Sequence, residues 1–319
     1  MEKMHRFRIP KNVLWEAFRQ SEKTKVIGID GQTIEQFTQN RIKLLHELLV
    51  ELNSGNYVPS PVRRIVIPKK SGGWRPMGIP TVKDFIVQTL LKNELAPTFE
   101  RLFHPDSFGY KQKRPARDAA IRIAGERCLQ YDWAIVMDIK KFGENINHRL
   151  LMDMLKKHIR SKWSLLYNHR MMIAPAQMKD GSLVKSRKGL AQGSKLNILL
   201  GNVYLHHIFD EWMQNKHPDI PFERYTDDII CHCKNETSAK KLLAQLQQRF
   251  TLYKLTPHPE KTRIVYCKDD TRKGNYAHVS FEFLGTTFCS QKIKSKSGSY
   301  TARFGPKEND YAAPATRTT

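Results

Sequence analysis

The stretch Arg224-Tyr225-Thr226-Asp227-Asp228-Ile229-Ile230-Cys231-His232-Cys233 constrains the fold of this chain more than any other. Two adjacent carboxylates follow a tyrosine and a β-branched residue and precede a run of strand formers, which places them at a tight hairpin turn between two strands. An Asp-Asp pair in a turn is ordinarily a solvated turn and nothing more. Here a second acid joins it, because Trp133-Ala134-Ile135-Val136-Met137 reads as a buried strand that Asp138 closes. A carboxylate at the end of an apolar run is costly without a partner, and a metal ion is a reasonable one.

Charge narrows the partners. The 319 residues hold 54 Lys and Arg against 31 Asp and Glu, a formal charge of +23 that is too lopsided for an enzyme of small metabolites. It implies a polyanion. A membrane surface would also attract such charge, yet the basic residues are spread throughout and no apolar run approaches the roughly 20 residues that span a bilayer. Nucleic acid is therefore preferred, and no membrane partner is expected. The basic start, residues 1–10, has no apolar stretch behind it and is not read as a signal peptide. Five cysteines without framework spacing suit a reducing interior, so a cytoplasmic protein is expected. The 40% hydrophobic content supports one large or two modest domains.

Taken in order, residues 13–22 and 34–52 read as amphipathic helices with a capping turn at Gly28 to Thr33 between them. Residues 62–80 then read as a β-hairpin with a basic tip at Lys69, Lys70 and Arg75; such a hairpin is either a solvated edge or a pair of cations over a triphosphate. Helices follow at 82–99, 113–130, 145–158 and 162–172, and a short hairpin turns at Asp180-Gly181. Gly189 to Ser194 forms a loop before a long apolar helix through Trp212. The glycine-bracketed Gln192 there is either a helix cap or a point of close approach to a nucleotide. Beyond the acidic hairpin come a helix at 238–251, a strand at 264–267 preceded by Lys261, and a hairpin at 281–288. From Lys292 the composition reads as a flexible tail.

Asp138, Asp227 and Asp228 form the main chemical constellation. Three carboxylates on two strands in a basic chain are what two-metal phosphoryl transfer on a nucleic acid requires. Cys231-His232-Cys233 suggests zinc at first sight, but its residues alternate sides of a strand and lack the usual spacing between Cys ligands, so Cys231 and Cys233 are read as small core residues.

Tyr225-Thr226-Asp227-Asp228 resembles the Tyr-x-Asp-Asp signature of reverse transcriptases, and the surrounding segments resemble the bacterial group II intron reverse transcriptase and maturase branch. The further matches are Gly28-Ile29-Asp30-Gly31, Ile67-Pro68-Lys69 through Pro80, Ser107-Phe108-Gly109-Tyr110, Met137-Asp138-Ile139-Lys140, Gln192-Gly193, Asn202 to His206, His258 to Thr262 and Phe283-Leu284-Gly285. They run in family order over residues 13 to 290.

The resemblance implies an α+β fold, the fingers and palm of a right-handed polymerase, with an antiparallel palm sheet flanked by helices. Residues 1–130 would be an N-terminal extension and fingers, 131–290 the palm with some fingers elements within 150–200, and 291–319 a flexible basic tail, with the thumb or maturase domain absent. It further implies Asp138, Asp227 and Asp228 as ligands of two Mg²⁺ ions. Lys69, Arg75 and Gln192 would meet the incoming nucleotide, and Lys261 would protonate leaving pyrophosphate. The implied activity is RNA-directed DNA polymerisation for a group II intron, with intron RNA binding for splicing and retromobility. The implied partners are group II intron RNA, an RNA template with DNA primer, and dNTPs; self-association is undecided by the sequence.

Two departures stand against the family pattern. Gly143 occupies the position of the usual aromatic that blocks a ribose 2′-OH, which predicts poor discrimination between rNTPs and dNTPs. Ala191, Ser194, Lys195, Asn197 and Ile198 replace the usual Pro, Gly, Val, Ser and Pro beside Gln192. These departures favour the alternative reading, an RNA-binding maturase module with a weakened polymerase site.

Overall fold

The computed structural model describes residues 7–68, 74–109, 116–294 and 300–307. Two compact units divide the chain, one of Met1–Leu102 with Gly143–Tyr204, the other of Phe103–Phe142 with Leu205–Thr319. In chain order the strands are β1 (Val62–Pro68), β2 (Trp74–Ile79), β3 (Trp133–Met137), β4 (Ala176–Gln177), β5 (Leu183–Val184), β6 (Phe222–Tyr225), β7 (Asp228–Cys233), β8 (Arg263–Tyr266), β9 (Ser280–Phe283), β10 (Thr286–Lys294) and β11 (Tyr300–Pro306).

The first unit is mostly helical. Its helix Lys11–Ser21 packs on Val82–Leu102, with Leu14, Phe18, Phe37, Ile86 and Leu90 buried. The single helix expected over 34–52 is two, Ile34–Gln39 and Arg41–Ser54, parted at Asn40. Asn40 leaves helical geometry at φ −110° and ψ 18° with no side-chain cap, and Asn is a weak helix former. The expected cap at Thr33 is present as a reciprocal box: its hydroxyl accepts from Gln36 N, and Gln36 Oε1 accepts from Thr33 N. The basic hairpin forms as β1 and β2, paired from Arg63 with Ile79 to Pro68 with Trp74, and β4 adds to β1 in parallel. Its tip, Lys69 and Lys70 included, lies outside the described residues.

The second unit carries the sheet β6-β7-β3-β8, antiparallel throughout. The helix Glu236–Leu252 packs on β3 and β7, and Ala116–Cys128 packs on β6 and β7. A second sheet, β11-β10-β9, joins through a shared core of Phe108, Ile121, Ala134, Ile230, Val265, Phe281, Phe288 and Phe304. Composition alone predicts a flexible tail from residue 291, whereas β10 runs to Lys294 and β11 returns over 300–306. The cause is Phe304, which packs on Phe281 with ring centroids 6.0 Å apart and is 1% exposed. One aromatic on the inward face suffices to set a strand's register. No helix among the described residues is long and apolar enough to cross a membrane.

Candidate active site

The acidic hairpin is as tight as the sequence predicts. Tyr225 pairs with Asp228, which leaves Thr226 and Asp227 as the two central residues of the turn. Thr226 has φ +56° and Asp227 does not share the positive φ, so the strain falls on a β-branched residue where glycine is the usual occupant. Such a conformation costs on the order of 1–3 kcal/mol and persists only when its surroundings enforce it. The Thr226 hydroxyl donates to Asp227 Oδ1 at 2.9 Å.

Strand register gathers the remaining groups. β3 pairs with β7 up to Met137 with Ile229, and one further step sets Asp138 against Asp228. β3 also pairs with β8 up to Val136 with Arg263, but that register stops there: Ile139 bridges Pro257 and Thr262 N donates to the His258 carbonyl, so Lys261 stands on the turn that leads into β8. Lys261 Nζ reaches Asp138 Oδ2 at 2.7 Å, while the Asp138 carbonyl accepts from His258 N at 2.7 Å. Asp138 thus has an acid beside it at the end of the β3–β7 ladder and a base reaching it from the turn before β8.

Electrostatics follow from that arrangement. Burial, then the neighbouring Asp227 and Asp138, push the Asp228 carboxyl up to about 7, against the pull of Lys261. The Lys261 ammonium is held above its usual range by its hydrogen bond to Asp138, which outweighs partial burial. Among the described residues no three His, Cys, Asp or Glu side chains make a ready metal cluster. Mg²⁺ takes one or two protein carboxylates with phosphate and water oxygens completing its shell, so the donor set here fits it without a third ligand in place. Mutually repelling carboxylates at a strained turn are the chemistry a hard cation relieves.

Residues 67–288 match the family model described as reverse transcriptase (RNA-dependent DNA polymerase). The chain belongs to the reverse transcriptase family. It is therefore an RNA-directed DNA polymerase by family, and its mixed fold with antiparallel sheets is consistent with the fingers and palm of such enzymes. Protein YkfC of Escherichia coli is 30% identical over 281 residues, 76% of this chain and 73% of that protein. The group II intron-encoded protein LtrA of Lactococcus lactis is 29% identical over 238 residues, 72% of this chain but 37% of LtrA. The putative COX1/OXI3 intron 2 protein of Saccharomyces cerevisiae is 28% identical over 176 residues, 55% of this chain and 20% of the yeast protein. The likeness to group II intron-encoded proteins expected from the motifs is thus found, although this reverse transcriptase spans well under half the length of the two intron-encoded relatives.

The four residues Asp138, Asp227, Asp228 and Lys261 lie together in the second unit. The nucleotide candidates lie in the first, apart from Lys69, which falls outside the described residues. Arg75 is exposed on β2 opposite Ile67. The Gln192 carbonyl accepts from Gly78 N on that same strand at 3.0 Å. A Cβ on Gly143 would stand 3.8 Å from both Gln192 Nε2 and the Leu190 carbonyl, so the two candidates are neighbours. The departures in the Gln192 loop do structural work: Ser194 Oγ accepts from Leu196 N at the helix start, and Asn197 Nδ2 donates to the Ala191 carbonyl at 2.6 Å. Gly189, with φ +83° and the Glu144 backbone 2.7 Å from where a Cβ would sit, admits no side chain.

Sequence reasoning missed Arg224 and Asp210. Arg224 is 0% exposed and is the last residue but one of β6, the strand that leads into the turn. β6 reads Phe-Glu-Arg-Tyr, so no apolar run singles Arg224 out in the sequence.

Proposed function

We propose that this reverse transcriptase copies RNA into DNA for a group II intron, binding intron RNA for splicing and retromobility as well. The observation that carries the polymerase reading is the meeting of Asp138, Asp228 and Lys261, the lysine on Asp138 at 2.7 Å, with the Asp228 carboxyl pushed up to about 7. The second unit would serve as the palm, and the first, with its basic hairpin and Gln192 loop, as the fingers. Two Mg²⁺ ions, held by Asp138, Asp227 and Asp228, would neutralise phosphate charge and orient the attacking and leaving oxygens of an in-line displacement.

The chain's own groups do the rest. Arg75, with Lys69, would hold the triphosphate, since a guanidinium forks onto phosphate oxygens and an ammonium adds a point charge. Gln192 would sit beside the nucleotide, with Gly143 as its neighbour. Lys261 keeps its proton because Asp138 accepts from it, and it would pass that proton to departing pyrophosphate. The LtrA likeness supports group II intron RNA as the partner, and the formal charge of +23 supports a broad phosphate-gripping surface.

Primer extension on an RNA template with Mg²⁺ and dNTPs tests the reading, with Asp227→Ala beside wild type. Extension by wild type alone supports it. Tight RNA binding by both with extension by neither replaces it with the RNA-binding maturase module.

A further inference from the structure

We infer that Arg224 is a positioning residue for the acidic turn and that Asp210 holds it in place, an inference that rests on the polymerase reading above. Arg224 Nε and Nη2 donate to the two carboxylate oxygens of Asp210 at 2.7 and 2.6 Å, a bidentate pair with both side chains fully buried. Its third nitrogen, Nη1, donates to the Thr226 carbonyl at 3.1 Å. The guanidinium therefore links a fixed carboxylate to the one residue of the turn whose φ is +56°.

A buried ion pair alone is weak evidence for stability, because well-packed apolar residues of similar volume commonly replace it without loss. Apolar residues lack a donor for the Thr226 carbonyl. That bond is what distinguishes a positioning role from a packing one. Asp210 closes a π-helical turn, His206–Asp210, whose extra residue rotates later positions by about 100° relative to a regular helix. The same turn meets a second brace. Arg224 N donates to the Asp106 carbonyl at 3.0 Å and Phe108 N donates to the Arg224 carbonyl at 2.7 Å, which lays residues 106–109 along β6. Gly109 then comes so close that a Cβ there would stand 2.6 Å from Thr226 N. The orientation of Asp227 and Asp228 is thus set by Arg224 and by the absence of a side chain at Gly109.

The test compares wild type, Arg224→Met/Asp210→Leu, Arg224→Lys, Gly109→Ala and Asp228→Asn. Thermal melting and RNA-template affinity establish folding, steady-state primer extension separates kcat from the KM for dNTP, and Tb³⁺ luminescence reads cation binding at the acids, with Asp228→Asn as the background. The expected result is a Met/Leu variant that melts and binds RNA as wild type does, yet loses tenfold or more in kcat at unchanged KM and several-fold in Tb³⁺ affinity. Arg224→Lys should fall between the two. A Met/Leu variant equal to wild type in both kcat and Tb³⁺ affinity overturns the inference. Should that variant fail to fold, Gly109→Ala, which keeps the ion pair and displaces Thr226, must show the same losses or the inference falls. Failure of wild type to extend primers sinks the polymerase reading by itself, and the Tb³⁺ titration still decides whether Arg224 sets the turn.

Discussion

Gly143 offers room where an aromatic is usual. Its nearest prospective contacts, Gln192 Nε2 and the Leu190 carbonyl at 3.8 Å, are ordinary van der Waals distances from an added Cβ. Gly143→Phe is therefore expected to fold and to raise the preference for dNTP over rNTP by tenfold or more, measured as the ratio of kcat/KM in single-nucleotide incorporation; an unchanged ratio would remove the residue from the nucleotide site. Asp210 gives a pH signature. Burial alone would raise its carboxyl, but Arg224 first and His206 second bring it down to about 2 from a usual 3.8. A depressed folded-state value stabilises above the unfolded value, so about 2 kcal/mol is present above pH 4 and lost as pH falls toward 2. Urea melts of wild type and of Arg224→Met/Asp210→Leu over that range should show a steeper loss of stability in the first than in the second, the other carboxylates titrating in both. Lys261 was singled out by resemblance alone, whereas the place of Asp138 at a strand end and of Asp227 and Asp228 at a turn was legible from local sequence. The Arg224 and Asp210 pair was not, since it depends on a π-helical turn that no periodicity reveals.

Helix starts and strand registers carry the next level. Asn147 Oδ1 accepts from Leu150 N at 3.0 Å and caps the helix His148–His158, whose first residue bonds the Gly189 carbonyl through Nε2 at 2.6 Å. Asn147→Ala is expected to cost about 1 kcal/mol in a urea melt, and because Gly189 opens the Gln192 loop, to raise the KM for dNTP more than it lowers kcat. A change confined to stability would make the cap purely structural. Hairpins and long helices were readable from alternation and turn residues, as at Asp180-Gly181 and Val82–Leu102. The break at Asn40 and the strand β11 were not, because one is a local departure of a single backbone residue within a continuous apolar spacing and the other depends on Phe304 joining a distant core.

At the scale of the whole chain, the charge of +23 has a measurable consequence. RNA binding should weaken with salt along a log-log slope steeper than about −3, the value for roughly four phosphate contacts to a single strand. A shallower slope would mean that the basic surface is not the contact surface. Both compact units are discontinuous in sequence, and the sheet order β6-β7-β3-β8 puts the earliest of its strands between two made later. As the chain leaves the ribosome, Trp133 to Met137 must wait for β7 to begin at Asp228 before its first edge is covered. At about 5–20 residues per second that wait lasts on the order of 5–20 s. An apolar strand bare for so long is a target for aggregation, so nascent chains arrested just short of Asp228 should be captured by chaperones far more than chains arrested after release of β8.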